Sequence, residues 1–103
     1  MNKVIMTGRI STNLELKTFG ESKVVNFDLA VKEKETLFVA CTAWNKTAEM
    51  LCKYADKGSH ILVEGKLAKN EYVNKSGNKV QKMFIHVERI EFLSFKNKGT
   101  QDE

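Results

Sequence analysis

At 103 residues, the chain has room for one hydrophobic core and not for two. Its 42% hydrophobic and 29% charged content is ordinary for a soluble globular domain, and no apolar run is long enough to cross a bilayer. The net charge of +4 leans toward an acidic partner, and the opening MNKVIMTGRI lacks the apolar stretch of a signal peptide, so the cytoplasm is the expected compartment.

Residues 2–10 read as a strand, with Val4, Met6 and Ile10 set against Lys3, Thr7 and Arg9, and Gly8 marking a bulge or sharp bend. A looser segment, Ser11 to Ser22, carries a turn signal at Gly20. From Lys23 to Lys32 alternation is clean: Val25, Phe27, Leu29 and Val31 face a core, and Asn26, Asp28 and Lys32 face away. The short polar KEKE connection (32–35) leads to a third strand, TLFVACTAWN (36–45). There Leu37, Val39, Cys41 and Ala43 share the core face, while Phe38 and Trp44 share the opposite one with Thr36, Ala40 and Thr42.

The helical pattern NKTAEMLCKYADKG follows, with Ala48, Leu51, Tyr54 and Ala55 on one side. Asn45 or Thr47 is the expected N-cap, and Gly58 is expected just past the helix end, at C′. Ile61, Val63 and Leu67 begin a fourth strand with a bend at Gly65, and NKSGN (74–78) is a hairpin turn. Met83, Ile85 and Val87 mark the core side of a fifth strand. Its phase then slips to Ile90 and Phe92, which predicts a bulge at Glu88–Arg89. Residues 1–95 are thus expected to form one domain, and 96–103 a short frayed tail.

Three strands, a short helix and two more strands, with glycine bends in strands one and four, predict an all-β class: a five-stranded OB-fold barrel with its helix between strands three and four. A generic β-sandwich does not place a helix there.

The outward aromatics suggest a use. Phe38, Trp44 and Tyr72 all fall off the core face, and Tyr72 enters a lysine-rich hairpin. Lysines 66, 69, 75, 79 and 82, against the single acid Glu71 between them, hold a local charge equal to the whole chain's net excess. Unpaired bases stack on exposed rings while lysines neutralise the adjacent phosphates, and duplex DNA hides its base faces, so this combination selects single strands. Phe19, in the loop after strand one, joins the candidates. Phe84 is also off-core, but burial at a subunit interface is expected for it. Cys41 and Cys52 form no CxxC pair and are expected to be reduced, core-facing thiols. His60 and His86 are isolated, so neither is expected to serve as a ligand or base. No nucleophile–histidine motif, metal cluster or phosphate-cradling glycine loop is present, so neither an enzyme nor a cofactor is expected.

The segments MNKVIMTGRI, LELK, VVNFDLAVK, FVACTAWNKTAEMLCKYADKGSHILVEGKL and IEFL closely resemble bacterial and phage single-stranded DNA-binding proteins, in family order over residues 2 to 93. The resemblance implies an OB-fold that binds single-stranded DNA without sequence preference, serving replication, recombination and repair, as a homotetramer or a dimer. It maps stacking roles onto Phe38, Trp44 and Tyr72, and basic roles onto Lys3, Arg9, Lys66 and Lys69. Lys75 and Lys79 from the hairpin, and Lys32 and Lys34 from KEKE, complete the candidate phosphate contacts. The implied location is nucleoid-associated cytoplasm, or host cytoplasm for a phage or mobile element.

Three departures bear on function. The family's long hairpin after its second strand shrinks here to KEKET, implying a smaller footprint, and Asn13-Leu14 stands where Asp-Pro is usual. The chain ends at QDE rather than in the family's Gly/Pro/Gln-rich tail with its acidic tip. That fits a trimmed chain or a tail-less version, and tail-mediated protein partners are not expected. The competing readings are an OB-fold protein–protein module of the replication machinery and a single-stranded RNA binder.

Overall fold

A computed structural model describes residues 1–94. Six strands and one helix follow in order: β1 (Val4–Ile10), β2 (Lys17–Phe19), β3 (Ser22–Val31), β4 (Leu37–Trp44), α1 (Asn45–Tyr54), β5 (His60–Val73) and β6 (Lys79–Phe92). They form one sheet, ordered β1-β5-β6-β4-β3-β2, which closes on itself where β1 meets β3 at Arg9↔Ala30 and Ile10↔Leu29. The contact between β4 and β6 is parallel and all others are antiparallel. This is the expected OB-type barrel. The extra strand is β2, a three-residue hairpin partner of β3 turned by Gly20 at φ +64°. The tail expected at 96–103 lies outside the described residues.

The alternation in β3 behaves as read: Val25, Phe27, Leu29 and Val31 are buried. Cys41, Ala43, Ile61, Val63, Ile85 and Val87 join them in the core, and α1 closes one end with Ala48 and Leu51. Tyr54 is only half-buried and meets the Phe92 ring edge-on at 5.8 Å. Three positions assigned to the core face are instead exposed: Leu37, Leu67 and Met83. Their parity is correct, but the barrel ends before they are reached. Leu37 lies at the open end, paired with Val31, and Leu67 and Met83 lie on strands that continue past the barrel as a two-stranded arm.

The glycine bends have a steric cause. A Cβ on Gly8 would lie 2.4 Å from the Ala30 carbonyl oxygen, and one on Gly65 2.1 Å from that of His86. Both mark places where strands approach too closely for a side chain. Opposite Gly65, the register jumps from Glu64↔Arg89 to Gly65↔Val87, so Glu88 is the bulged residue the phase slip predicted.

The helix ends differ from expectation. Neither Asn45 nor Thr47 caps α1 by a side chain. Asn45 adopts φ +52°, a left-handed conformation asparagine tolerates, and its Oδ1 accepts the Lys23 N–H at 3.0 Å. It therefore fastens the strand-to-helix corner to β3. The helix ends at Ala55, whose N–H donates to the Leu51 carbonyl, so Gly58 is not at C′. Gly58 instead turns the following loop at φ +97°, with its N–H donating to the Ile10 carbonyl at 2.7 Å.

Candidate nucleic-acid interface

The outward face of β4 carries Phe38, Ala40, Thr42 and Trp44, as alternation requires. Across β3 these stand opposite Ala30, Asp28, Asn26 and Val24. On the other side, Thr42 neighbours His86 of β6, and β6 pairs with β5 along the arm. The outer surfaces of β3, β4, β6 and β5 are therefore one continuous sheet face. Phe38 is 67% exposed, and Trp44 is half-buried. The indole is partly covered because Phe19, itself 71% exposed on the β2–β3 hairpin, meets it edge-on at 6.3 Å. Small Ala40 and Thr42 separate Phe38 from Trp44, which leaves open floor between the two rings.

Tyr72 is 53% exposed near the tip of the arm. The pairings Lys66↔His86, Ala68↔Phe84, Asn70↔Lys82 and Tyr72↔Val80 put Tyr72 on the same arm face as Lys66, Lys82 and Phe84. The arm is held in shape from both ends. At its root, Asn2 pairs with the Leu67 backbone, accepting its N–H at 3.0 Å and donating to its carbonyl at 2.9 Å. At its tip, Asn74 Oδ1 accepts the N–H groups of Ser76 and Asn78, and Gly77 takes φ +82°.

Two depressions interrupt this surface. One of about 220 Å³ lies between β3–β4 and β6–β5, with Asn26, Asp28 and Thr42 on one bank and Asn70, Lys82 and Phe84 on the other. Phe84, expected at a subunit contact, thus lines a groove on the aromatic face. The other, of about 700 Å³, lies between β1 and β3 and is walled by Ile5, Arg9, Ala30, Lys32, Glu33 and Leu37. The register Phe38↔Ala30↔Arg9 leads from the exposed ring to this depression, where Arg9 and Lys32 stand with one acid, Glu33.

The cations divide into paired and unpaired groups. Lys3 meets Glu64 at 2.6 Å, Arg89 meets the same carboxylate at 3.1 Å, and Arg89 also binds Glu91. The hydrogen bond from Lys3, followed by that from Arg89, holds the Glu64 carboxyl below its usual range, and the same bond raises Lys3. Lys66 faces Glu88 at 3.7 Å, Lys69 faces Glu71 at 3.4 Å, and Arg9 Nη1 donates to the Gly58 carbonyl at 3.0 Å. Among the described residues, Lys32, Lys34, Lys75, Lys79 and Lys82 make no ion pair. The fold also splits the lysine cluster. Lys66 and Lys82 share the Tyr72 face, whereas Lys69 and Lys79 pair with Met83 and Val73 on the reverse, and Lys75 sits in the turn. Lys3 belongs to the β1–β5 side, away from Trp44 and Tyr72.

Sequence reasoning counts Lys82 in the lysine-rich segment without carrying it to the individual phosphate contacts, and it leaves out Lys17. Even parity with Phe84 and Tyr72 marks Lys82. Lys17 reaches the surface through Lys17↔Val24↔Trp44, on a strand too short to show as a period in sequence.

The single-strand binding protein family model matches residues 1–93. The chain is 32% identical over 108 residues to single-stranded DNA-binding protein A of Bacillus subtilis, covering 96% of this chain and 63% of that protein. It is 35% identical over 102 residues to the single-stranded DNA-binding protein of Onion yellows phytoplasma, covering 94% of this chain and 98% of the relative. A Clostridium perfringens single-stranded DNA-binding protein is 32% identical over 107 residues, with coverage of 98% and 71%. The chain thus spans less than two thirds of the Bacillus subtilis protein and nearly all of the phytoplasma one.

Proposed function

The chain belongs to the single-strand binding protein family, and on that premise we propose that it binds and protects single-stranded DNA during replication, recombination and repair. Bases stack on Phe38, Trp44 and Tyr72, with Phe19 extending the Trp44 platform. Phosphates follow the unpaired lysines Lys32, Lys34 and Lys75, with Arg9 on the Phe38 side and Lys66 as a cation that exchanges a carboxylate for a phosphate, while Lys69 and Lys79 on the reverse of the arm, and Lys3 on the β1–β5 side, meet the strand where it wraps past the aromatic face. The observation that carries this reading is the continuity of one sheet face from Phe38 and Trp44 through β6 to Tyr72. Stacking contributes roughly 1–3 kcal/mol per base and tolerates any base, because each has a π-face. The role is binding, and no chemical step is assigned.

The protein works as a multimer of its own chain, a homotetramer or a dimer. Supporting this, Ile5 is 58% exposed on β1, and β1 pairs with β3 only at Arg9 and Ile10, which leaves the edge of residues 4–8 open. The cytoplasm is the proposed place of action. Among the described residues, no helix is long and apolar enough to cross a membrane.

The decisive experiment is a titration with poly-dT at two salt concentrations, read by Trp44 fluorescence. Quenching is expected, with log affinity falling against log salt at a slope of about −0.7 per phosphate neutralised. Unchanged fluorescence and no measurable affinity would overturn the reading.

A further inference from the structure

The outward face of β3 places an acid where a polyanion is expected to lie. Asp28 stands opposite Ala40, at the edge of the 220 Å³ groove, and is half-buried. Among the described residues its carboxylate makes no hydrogen bond and no ion pair. Its backbone is clamped: its N–H donates to Thr12 Oγ1 at 3.1 Å, and its carbonyl accepts the Ser11 N–H at 2.9 Å and hydroxyl at 3.2 Å. The carboxylate is therefore presented from a fixed strand position. It repels phosphate from its own bank of the groove, whereas Lys82 on the facing bank carries the opposite charge. The ligand groups that would suit it are N–H donors, which on DNA belong to base edges.

The neighbouring groups have a defined polarity. The Thr42 hydroxyl donates to Asn26 Oδ1 at 2.7 Å, which leaves the Asn26 amide nitrogen as the free donor. Asn26 and Asp28 lie two residues apart on the same strand face, about 7 Å along β3. Lys82 and Asn70 face them from the other bank, and Phe84 supplies a ring in the groove. The volume suits one base rather than a larger ligand.

We propose that this groove is a base-reading subsite that prefers guanine, with Asp28 accepting from N1–H and the N2 amino group while Asn26 or Lys82 donates to O6. Guanine alone among the four bases offers two adjacent donors on its Watson–Crick edge, next to an acceptor. Thymine offers one donor between two acceptors, and its second carbonyl would face the carboxylate. The preference rests on the single-stranded DNA reading above and adds one selective position to an otherwise tolerant stacking surface.

The test uses the full chain and oligo-thymidylates of one length, unchanged or carrying a single central guanine, inosine, cytosine or adenine. Affinities are taken from competition against a labelled all-thymine strand. The guanine strand is expected to bind about tenfold tighter than all-thymine, the low end for a bidentate contact to a base. Inosine, which lacks the N2 amino group, is expected to lose most of that gain. With Asp28→Asn, the guanine-to-thymine ratio is expected to fall to about one. Equal affinities for guanine and thymine strands, a stronger preference for cytosine or adenine, or a guanine preference that survives both inosine and Asp28→Asn would overturn the proposal. Failure of every strand to bind would instead sink the underlying single-stranded DNA reading, so the two failures are distinguishable.

Discussion

Gly65 is the residue on which the barrel's geometry turns. A methyl group there would be driven into the His86 backbone at the point where Glu88 bulges, and backbone has little freedom to withdraw. Gly65→Ala is expected to destabilise the fold by ~1–3 kcal/mol, the usual range for overpacking, measured by urea denaturation. Cys41 allows a second prediction. Burial, with a smaller contribution from the Asp28 charge, pushes its thiol up to about 12 from an ordinary value of 9.0. As pH rises past 9 the unfolded chain releases this proton while the folded chain keeps it, so stability falls between about pH 9 and 12. The expected slope is up to ~1.4 kcal/mol per pH unit from this group, and Cys41→Ala should flatten that part of the profile. A profile identical in wild type and variant would refute it.

The arm built from the outer halves of β5 and β6 shows how an element serves binding without serving the core. It lies beyond Gly65, so Leu67 and Met83 stay largely exposed there, and Tyr72 is available to a ligand. Tyr72→Ala is therefore expected to weaken binding to oligo-dT by roughly tenfold or more, with an unchanged melting temperature. Trp44→Ala is expected to cost a similar factor in affinity and to lower stability as well, because the indole also packs against Phe19. Thermal melts run beside the titrations separate the two behaviours. If Tyr72→Ala melted as early as Trp44→Ala, the arm would be part of the folding unit rather than an appendage.

At the scale of the whole molecule, the edge of β1 left open by β3 and the exposed Ile5 on that strand point to self-association. Light scattering at micromolar concentration is expected to return a multiple of the 11.7 kDa chain mass, and Ile5→Glu to reduce it. A wild-type monomer would remove the proposal. The charge network on this side, Lys3–Glu64–Arg89–Glu91, ties β1, β5 and β6 together at the surface. It lies where salt screens it, so it orders these side chains more than it stabilises the barrel.

Alternation by itself determined which side of each strand meets the core, because the two-residue period is a property of extended backbone and needs no partner. That is why the outward placing of Phe38, Trp44 and Tyr72 and the bulge at Glu88 were legible in the residues alone. Tertiary structure decided where the core stops, and this is why Leu37, Leu67 and Met83 have the parity of core residues but remain about half exposed. It also decided which lysines share a face and which are matched by a carboxylate, since both depend on the pairing of distant strands. The groove around Asp28 belongs to this second kind, because it exists only where β3 and β4 meet β6 and β5 across a register that no local pattern encodes.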